Sequence, residues 1–172
     1  SEDFFLEFVL PFIKWDKAEY YLVRTRNESI SKTVFPFPEV RDGQEVIISA
    51  VEKALKNNDR LFIEAATGIG KTAGVLYPAI SFIGHREEYN KIFFLTAKSS
   101  GREIVKKTLA ALYENGLRLR TVLITAKDKV CPLPGMECVD ILCPYLSNFA
   151  VKSGATVPQI LKHEFITEEL IR

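Results

Sequence analysis

A chain of 172 residues, 47% of them apolar, has the size of one ordinary domain and enough apolar side chains to bury a core, which excludes a disordered linker or tail. Its 23 Lys and Arg against 22 Asp and Glu leave a net charge of +1, which excludes a globally basic nucleic-acid coat but leaves room for a local basic stripe. No apolar run approaches the roughly 18 residues that span a bilayer, and the acidic start Ser1-Glu2-Asp3 lacks the order of a signal peptide, so a soluble, cytoplasmic protein with no membrane partner is expected. A first residue that is Ser, and an end at Ile171-Arg172 within a helical pattern, point to a piece of something longer.

In chain order, Glu2 to Lys32 reads as helix, with Phe5, Leu6, Val9, Leu10 and Ile13 spaced for one face and Pro11 placed to kink or divide it. Phe35-Pro36-Phe37-Pro38 favours extended chain and sets a boundary, so residues 1–34 form a helical arm. A helix from about Asp42 to Asn57 follows, its stripe made of Val46, Ile47, Ala50, Val51, Ala54 and Leu55. Leu61 to Ala65 reads as a buried strand, then a Gly-rich loop, then a helix from Gly70 to about Phe82 closed by Gly84. A second unit repeats the order: strand Lys91 to Ala97, a capping box of Ser100 with Glu103, and a helix to about Asn115 before Gly116, with Val105, Leu109 and Leu112 facing the core. Arg120 to Thr125 is a third strand. Alternating β and α segments with short connections imply an α/β fold, a parallel sheet with right-handed crossovers and helices on both faces. Residues 35–128 are then an α/β core, and residues 129–172 a mostly helical segment that carries the cysteines.

The loop at Glu64 to Thr72, Glu-Ala-Ala-Thr-Gly-Ile-Gly-Lys-Thr, matches G-x-x-x-x-G-K-[ST] with Ala65 in place of the first Gly. In that pattern backbone N–H groups wrap phosphates, the Lys reaches the outer ones and the hydroxyl ligates magnesium. Ala66, Thr67, Gly68, Ile69, Gly70, Lys71 and Thr72 are therefore the candidate site for ATP with Mg2+, Lys71 and Thr72 carrying the chemistry. A Gly-rich turn that happens to precede Lys-Thr is the bland alternative. Thr-Ala-Lys recurs at Thr96 to Lys98 and Thr125 to Lys127, each time putting a hydroxyl and a cation at the strand end where ligands of such sheets bind. Ser99-Ser100-Gly101-Arg102 adds small donors at a helix N-terminus, the chemistry of a phosphate-backbone contact, so a linear polyanion across both loops is one reading. Strand tips that simply meet solvent are the other.

Cys131, Cys138 and Cys143 fall within 13 residues. An odd count in an intracellular chain disfavours a disulfide framework, and C-x6-C with C-x4-C is wide for zinc. An iron-sulfur centre accepts such spacing but normally takes four thiolates, so three metal ligands or three buried structural cysteines both remain. His85 and His163 are remote from the cluster and are not expected as ligands.

With AATGIGKT, FFLTAKSSGRE, and ITAKDKVC leading into CPLPGMEC and CP, the chain resembles the XPD/DinG-like iron-sulfur DNA helicases of superfamily 2, the bacterial members above all. The likeness covers Phe35 to about Tyr145 strongly and the arm from about Glu19 to Lys32 weakly; the order and spacing of the motifs carry it. It implies part of a RecA-like P-loop motor that couples ATP hydrolysis to 5′-to-3′ movement along single-stranded DNA, with a role in DNA repair. It further implies that Arg41 and Gln44, in RDGQ, lie on the adenine side, and that Thr96, Lys98, Ser100 and Arg102, with Lys127, touch the DNA backbone. Cys131, Cys138 and Cys143 match three of the four ligands of a [4Fe-4S] cluster. The family's fourth cysteine, its magnesium-coordinating acidic motif and its second motor domain lack a counterpart in this stretch, so an amino-terminal fragment, inactive by itself, is expected. The rival expectation is a stand-alone nucleotide- and metal-binding module without motor activity.

Overall fold

The computed structural model describes residues 2–86, 90–139, 142–147, 151–154, 156 and 165–166. The chain divides into two compact units, Ser1–Arg118 and Leu119–Arg172.

The first unit is helical. α1 (Glu2–Phe4) passes into a π-helical stretch, Phe5–Val9, and then into α2 (Leu10–Ile30). Pro11 explains the break: it has no N–H for the carbonyl four residues back, and its ring crowds that carbonyl. The Leu10 N–H accordingly reaches five residues back to the Phe5 carbonyl, the π register. The expected apolar face of this arm is not buried among the described residues, since Phe5, Leu6 and Ile13 stay about half exposed. Only the end of α2 joins the core, through Ile30 and Arg26. Burial away from water pushes the Arg26 guanidinium below its usual range, and Nη1 donates to the Asn90 carbonyl at 3.4 Å. The Ser29 hydroxyl donates to the Arg26 carbonyl and accepts the Arg118 N–H, tying α2 to the chain after the last helix of the unit.

Three more helices complete the unit: α3 (Gln44–Asn57), α4 (Lys71–Gly84) and α5 (Ser99–Glu114), with α4 packed against α2, α3 and α5. That position follows from composition. The α4 residues Ala73, Gly74, Leu76, Pro78, Ile80 and Ile83 are all buried, as expected of a helix apolar on most sides. Pro78 sits inside α4 without ending it, and its ring is wholly enclosed. Against α4, α3 turns Gln44, Ile47 and Val51 inward, with Ala50, Ala54 and Leu55 half-buried; of the anticipated stripe only Val46, 71% exposed, lies outside. α3 and α5 both end in left-handed caps. At Asn58 (φ 58°) the Asp59 N–H bonds to Ala54 O; at Gly116 (φ 91°) the Leu117 N–H bonds to Leu112 O. Such a cap brings its flanking apolar residues together, and Leu112 and Leu117 are both fully buried. The capping box of Ser100 and Glu103 is not made: α5 begins at Ser99, with Lys98, two residues before Ser100, as its cap and no side-chain capping bond.

The sheet is much smaller than anticipated. Among the described residues, Leu61–Ala65 and Lys91–Thr96 form no ladder, and the side chains of Phe62, Phe93 and Leu95 are 93%, 81% and 89% exposed. An extended segment gains stability only from a neighbour that takes up its N–H and C=O groups, and these two find none there. In the second unit, the segment Arg120 to Thr125 contributes β1 (Thr121–Val122), which pairs in parallel with β2 (Phe165–Ile166), Thr121 opposite Phe165. Between them lie the single turn α6 (Lys127–Val130), a series of turns through residues 131–139 and 142–147, and helical residues at 151–154 and 156, within the segment expected to be mostly helical. No described helix is long and apolar enough to cross a membrane.

Replacing Leu112, which is fully enclosed, by Ala is expected to lower stability by about 2–5 kcal/mol, read from the urea midpoint by circular dichroism; a loss below about 1 kcal/mol would contradict tight packing there.

Candidate nucleotide-binding site

The loop between Ala65 and Lys71 is held by its carbonyls. Lys71, first residue of α4, folds its side chain back over the loop, and Nζ donates to the carbonyls of Ala65 and Ala66 at 2.7 Å each. The Arg41 guanidinium donates through Nη1 to the Gly68 carbonyl. Gln44, the first residue of α3 and 2% exposed, donates through Nε2 to the Gly70 carbonyl at 2.8 Å. Its Oε1 accepts the Arg41 N–H at 3.1 Å, and the Gln44 N–H bonds back to the Arg41 carbonyl at 2.9 Å, which closes the turn from Arg41 to Gln44 on itself.

A trans peptide unit directs its C=O and the following N–H to opposite sides. Anchoring the carbonyls of residues 65, 66, 68 and 70 therefore turns the N–H groups of Ala66, Thr67, Ile69 and Lys71 the other way. Gly68 and Gly70, both at φ 87°, supply the left-handed steps that let neighbouring N–H groups converge. N–H groups of a Gly-rich loop ahead of a helix are the kind that meet anions, and this loop runs directly into the start of α4. Thr72, half-buried as the second residue of α4, brings a hydroxyl to the same end.

Arg41 and Gln44 therefore meet the loop, and their polar atoms hold its backbone. Two contributors were not picked out from the sequence. Ala65 serves through its carbonyl, which no side-chain pattern reports. Gly43 is the left-handed cap of α3 (φ 76°) beneath the Ile69 side chain; a Gly where helices usually begin with Ser, Thr, Asn or Asp was the available signal.

The second group of candidates forms its own local structure. The Thr96 hydroxyl donates to the Lys98 carbonyl at 3.2 Å and accepts the Lys98 N–H at 3.4 Å, and it lies where a side chain on Gly101 would stand. Lys98 caps α5, Ser100 is exposed in its first turn, and Arg102 is half-buried one step on. Lys127 opens α6 in the other unit, and its side chain is outside the described set.

The three cysteines differ in setting: Cys131 is half-buried, Cys138 exposed and Cys143 buried. Among the described residues no three His, Cys, Asp or Glu side chains gather to hold a metal ion. A cluster requires its thiolates to face one centre. Here the Met136 N–H to Leu133 O turn precedes an exposed Cys138, while the Cys143 backbone is engaged by Val139, Leu146 and Ser147. This arrangement does not fit the implied cluster. His163 lies outside the described residues.

Gln44→Leu keeps the volume and removes both amide bonds, so a stability loss of about 1–3 kcal/mol is expected from thermal unfolding. An unchanged midpoint would show that these bonds do not hold the loop.

Residues 37–129 match the family model described as type III restriction enzyme, res subunit. Over 113 residues, 65% of this chain, the sequence is 29% identical to a probable ATP-dependent helicase of Methanocaldococcus jannaschii, of which that match takes in 16%. Over 56 residues, 33% of this chain, it is 43% identical to the 3′-5′ exonuclease DinG of Bacillus subtilis, of which it takes in 6%. The chain thus spans under a fifth of either relative, and no solved structure matches it. The matched family model takes in the turn at Arg41–Gln44, the loop and Thr96–Arg102, and the chain belongs to the type III restriction enzyme res-subunit family, a family of superfamily 2 helicases with a RecA-like motor.

Proposed function

We propose that this chain is the nucleotide-gripping part of an ATP-dependent DNA helicase that couples ATP hydrolysis to movement along single-stranded DNA in the cytoplasm. The observation that carries the reading is the anchored loop: its carbonyls are taken up by Lys71, Arg41 and Gln44, which leaves the N–H groups of the same peptide units on the opposite side, where the phosphates would lie. In this reading Ala66, Thr67, Gly68, Ile69 and Gly70 wrap the phosphates. The Lys71 ammonium shifts from the Ala65 and Ala66 carbonyls to the β- and γ-phosphate oxygens, and the Thr72 hydroxyl faces Mg2+. Arg41 and Gln44 hold the loop in shape and border the adenine side.

Thr96, Lys98, Ser100 and Arg102 bind the sugar-phosphate backbone of the DNA, and Lys127 adds a further cation. The wider parallel sheet and the second motor domain belong to the larger helicase of which this stretch is a part, consistent with its spanning 16% of the Methanocaldococcus relative. The exonuclease activity named for DinG is not carried over, because the match takes in 6% of that protein.

Lys71→Ala is expected to weaken binding of a fluorescent ATP analogue with magnesium by at least about tenfold, with an unaltered circular dichroism spectrum; wild-type affinity in the variant would remove Lys71 from the phosphates. Replacing Lys98 and Lys127 together by Ala is expected to flatten the salt dependence of single-stranded DNA binding, measured by fluorescence anisotropy, by about 0.7 in log–log slope for each phosphate that is no longer neutralised. A slope equal to the wild type's would take both side chains off the DNA path.

A further inference from the structure

Three contacts join the turn before α3 to the phosphate loop, and they run in register: Arg41 to Gly68, Gly43 to Ile69, and Gln44 to Gly70. The inner two are reciprocal. A Cβ on Gly43 would lie 2.8 Å from Ile69 Cδ1, well inside the roughly 3.5–4.0 Å of an optimal carbon contact. A Cβ on Gly70 would in turn run into the Gln44 side-chain amide. Gly43-Gln44 and Ile69-Gly70 thus each offer one side chain and receive the other's in the space a glycine leaves. Gly70 belongs to a known phosphate-loop pattern, whereas nothing in that pattern requires a glycine at 43.

We propose, on the reading of the loop as a triphosphate site, that Gly43 is a positioning residue for nucleotide binding, its bare Cα being the seat that fixes Ile69 and with it the loop's N–H groups. Of the polar bonds on either side, that of Arg41 is exposed and that of Gln44 comes from a buried side chain, with the half-buried Ile69 between them. The contact is made by the outer end of Ile69, Cδ1, with Cγ1 at an ordinary 3.8 Å, and the Ile69 backbone is flanked by the Gly68 and Gly70 carbonyl bonds. A side chain at 43 therefore displaces Ile69, and the peptide planes on either side of it are the ones that present the N–H groups of Ile69 and Gly70. The affinity for triphosphate changes through a residue that does not touch it.

The test uses Gly43→Asn, since Asn tolerates the left-handed backbone that Gly43 adopts at φ 76° and so preserves the start of α3. Ile69→Ala and the Gly43→Asn/Ile69→Ala pair complete a double-mutant cycle. A fluorescent ATP analogue with magnesium is titrated into each full chain, and amide hydrogen exchange is followed over residues 66–71. Gly43→Asn is expected to weaken binding by about tenfold and Ile69→Ala by about threefold, and the pair to bind like Ile69→Ala alone, because the clash is gone. Exchange over the loop should rise in Gly43→Asn and return in the pair to the level of Ile69→Ala. Wild-type binding in Gly43→Asn, or a pair as weak as the simple product of the two losses, overturns the proposal. Should Gly43→Asn not fold, Ile69→Ala decides alone: unchanged loop exchange there sinks the seat. If the unaltered chain does not bind nucleotide, the triphosphate reading fails, while the exchange pattern still decides whether Gly43 seats the loop.

Discussion

Carbonyl groups are harder to accommodate than amides in a loop that must meet an anion, because each oxygen aimed inward repels the ligand. In this protein the oxygens of residues 65, 66, 68 and 70 are drawn aside by an ammonium, a guanidinium and a carboxamide. The same planar units that send the oxygens outward send the N–H groups inward, so one set of bonds decides the chemistry of both faces. Two of the three donors, Arg41 and Gln44, come from a turn about 26 residues upstream, and that turn is itself closed by paired bonds between their backbone and side-chain groups.

The donors stay in place because α3 and α4 are packed together. Gln44 and Lys71 are the first residues of these two helices, which pack on each other and bury Ile47 and Val51 of α3 and Ala73, Gly74 and Leu76 of α4. Gly74 allows the close approach: a Cβ there would lie 3.1 Å from Ile47 Cγ2. With the helix starts fixed, the loop between them has little freedom left. The hydrophobic packing does not touch a ligand, but it sets the spacing between the clamp and the loop that the clamp holds.

The Thr96–Arg102 segment shows the same economy on a smaller scale. One hydroxyl spans the two backbone groups of Lys98, and the missing side chain of Gly101 leaves room for it. A rigid turn results at the start of α5, with the exposed Ser100 in its first turn. The cysteine-bearing segment lacks such organisation: its turns leave Cys138 in solvent and Cys143 enclosed.

Local chemistry was legible in the sequence. The end of α5 follows from Gly116, its inward face from the spacing of Val105, Leu109 and Leu112, and the division of the arm from Pro11. The Gly-rich loop and its Lys-Thr were likewise visible, since that pattern depends on adjacent residues. What depended on distant partners was not. Apolar runs such as Leu61–Ala65 and Lys91–Thr96 look like buried strands, yet a strand exists only where another takes up its hydrogen bonds, and composition does not report the neighbour. Cysteines close in sequence need not face one point, because turns between them choose the direction of each. The clamp of Arg41 and Gln44 on the loop, and the fit of Ile69 over Gly43, were decided only when α3 packed on α4, for they join backbone atoms that no side-chain pattern marks.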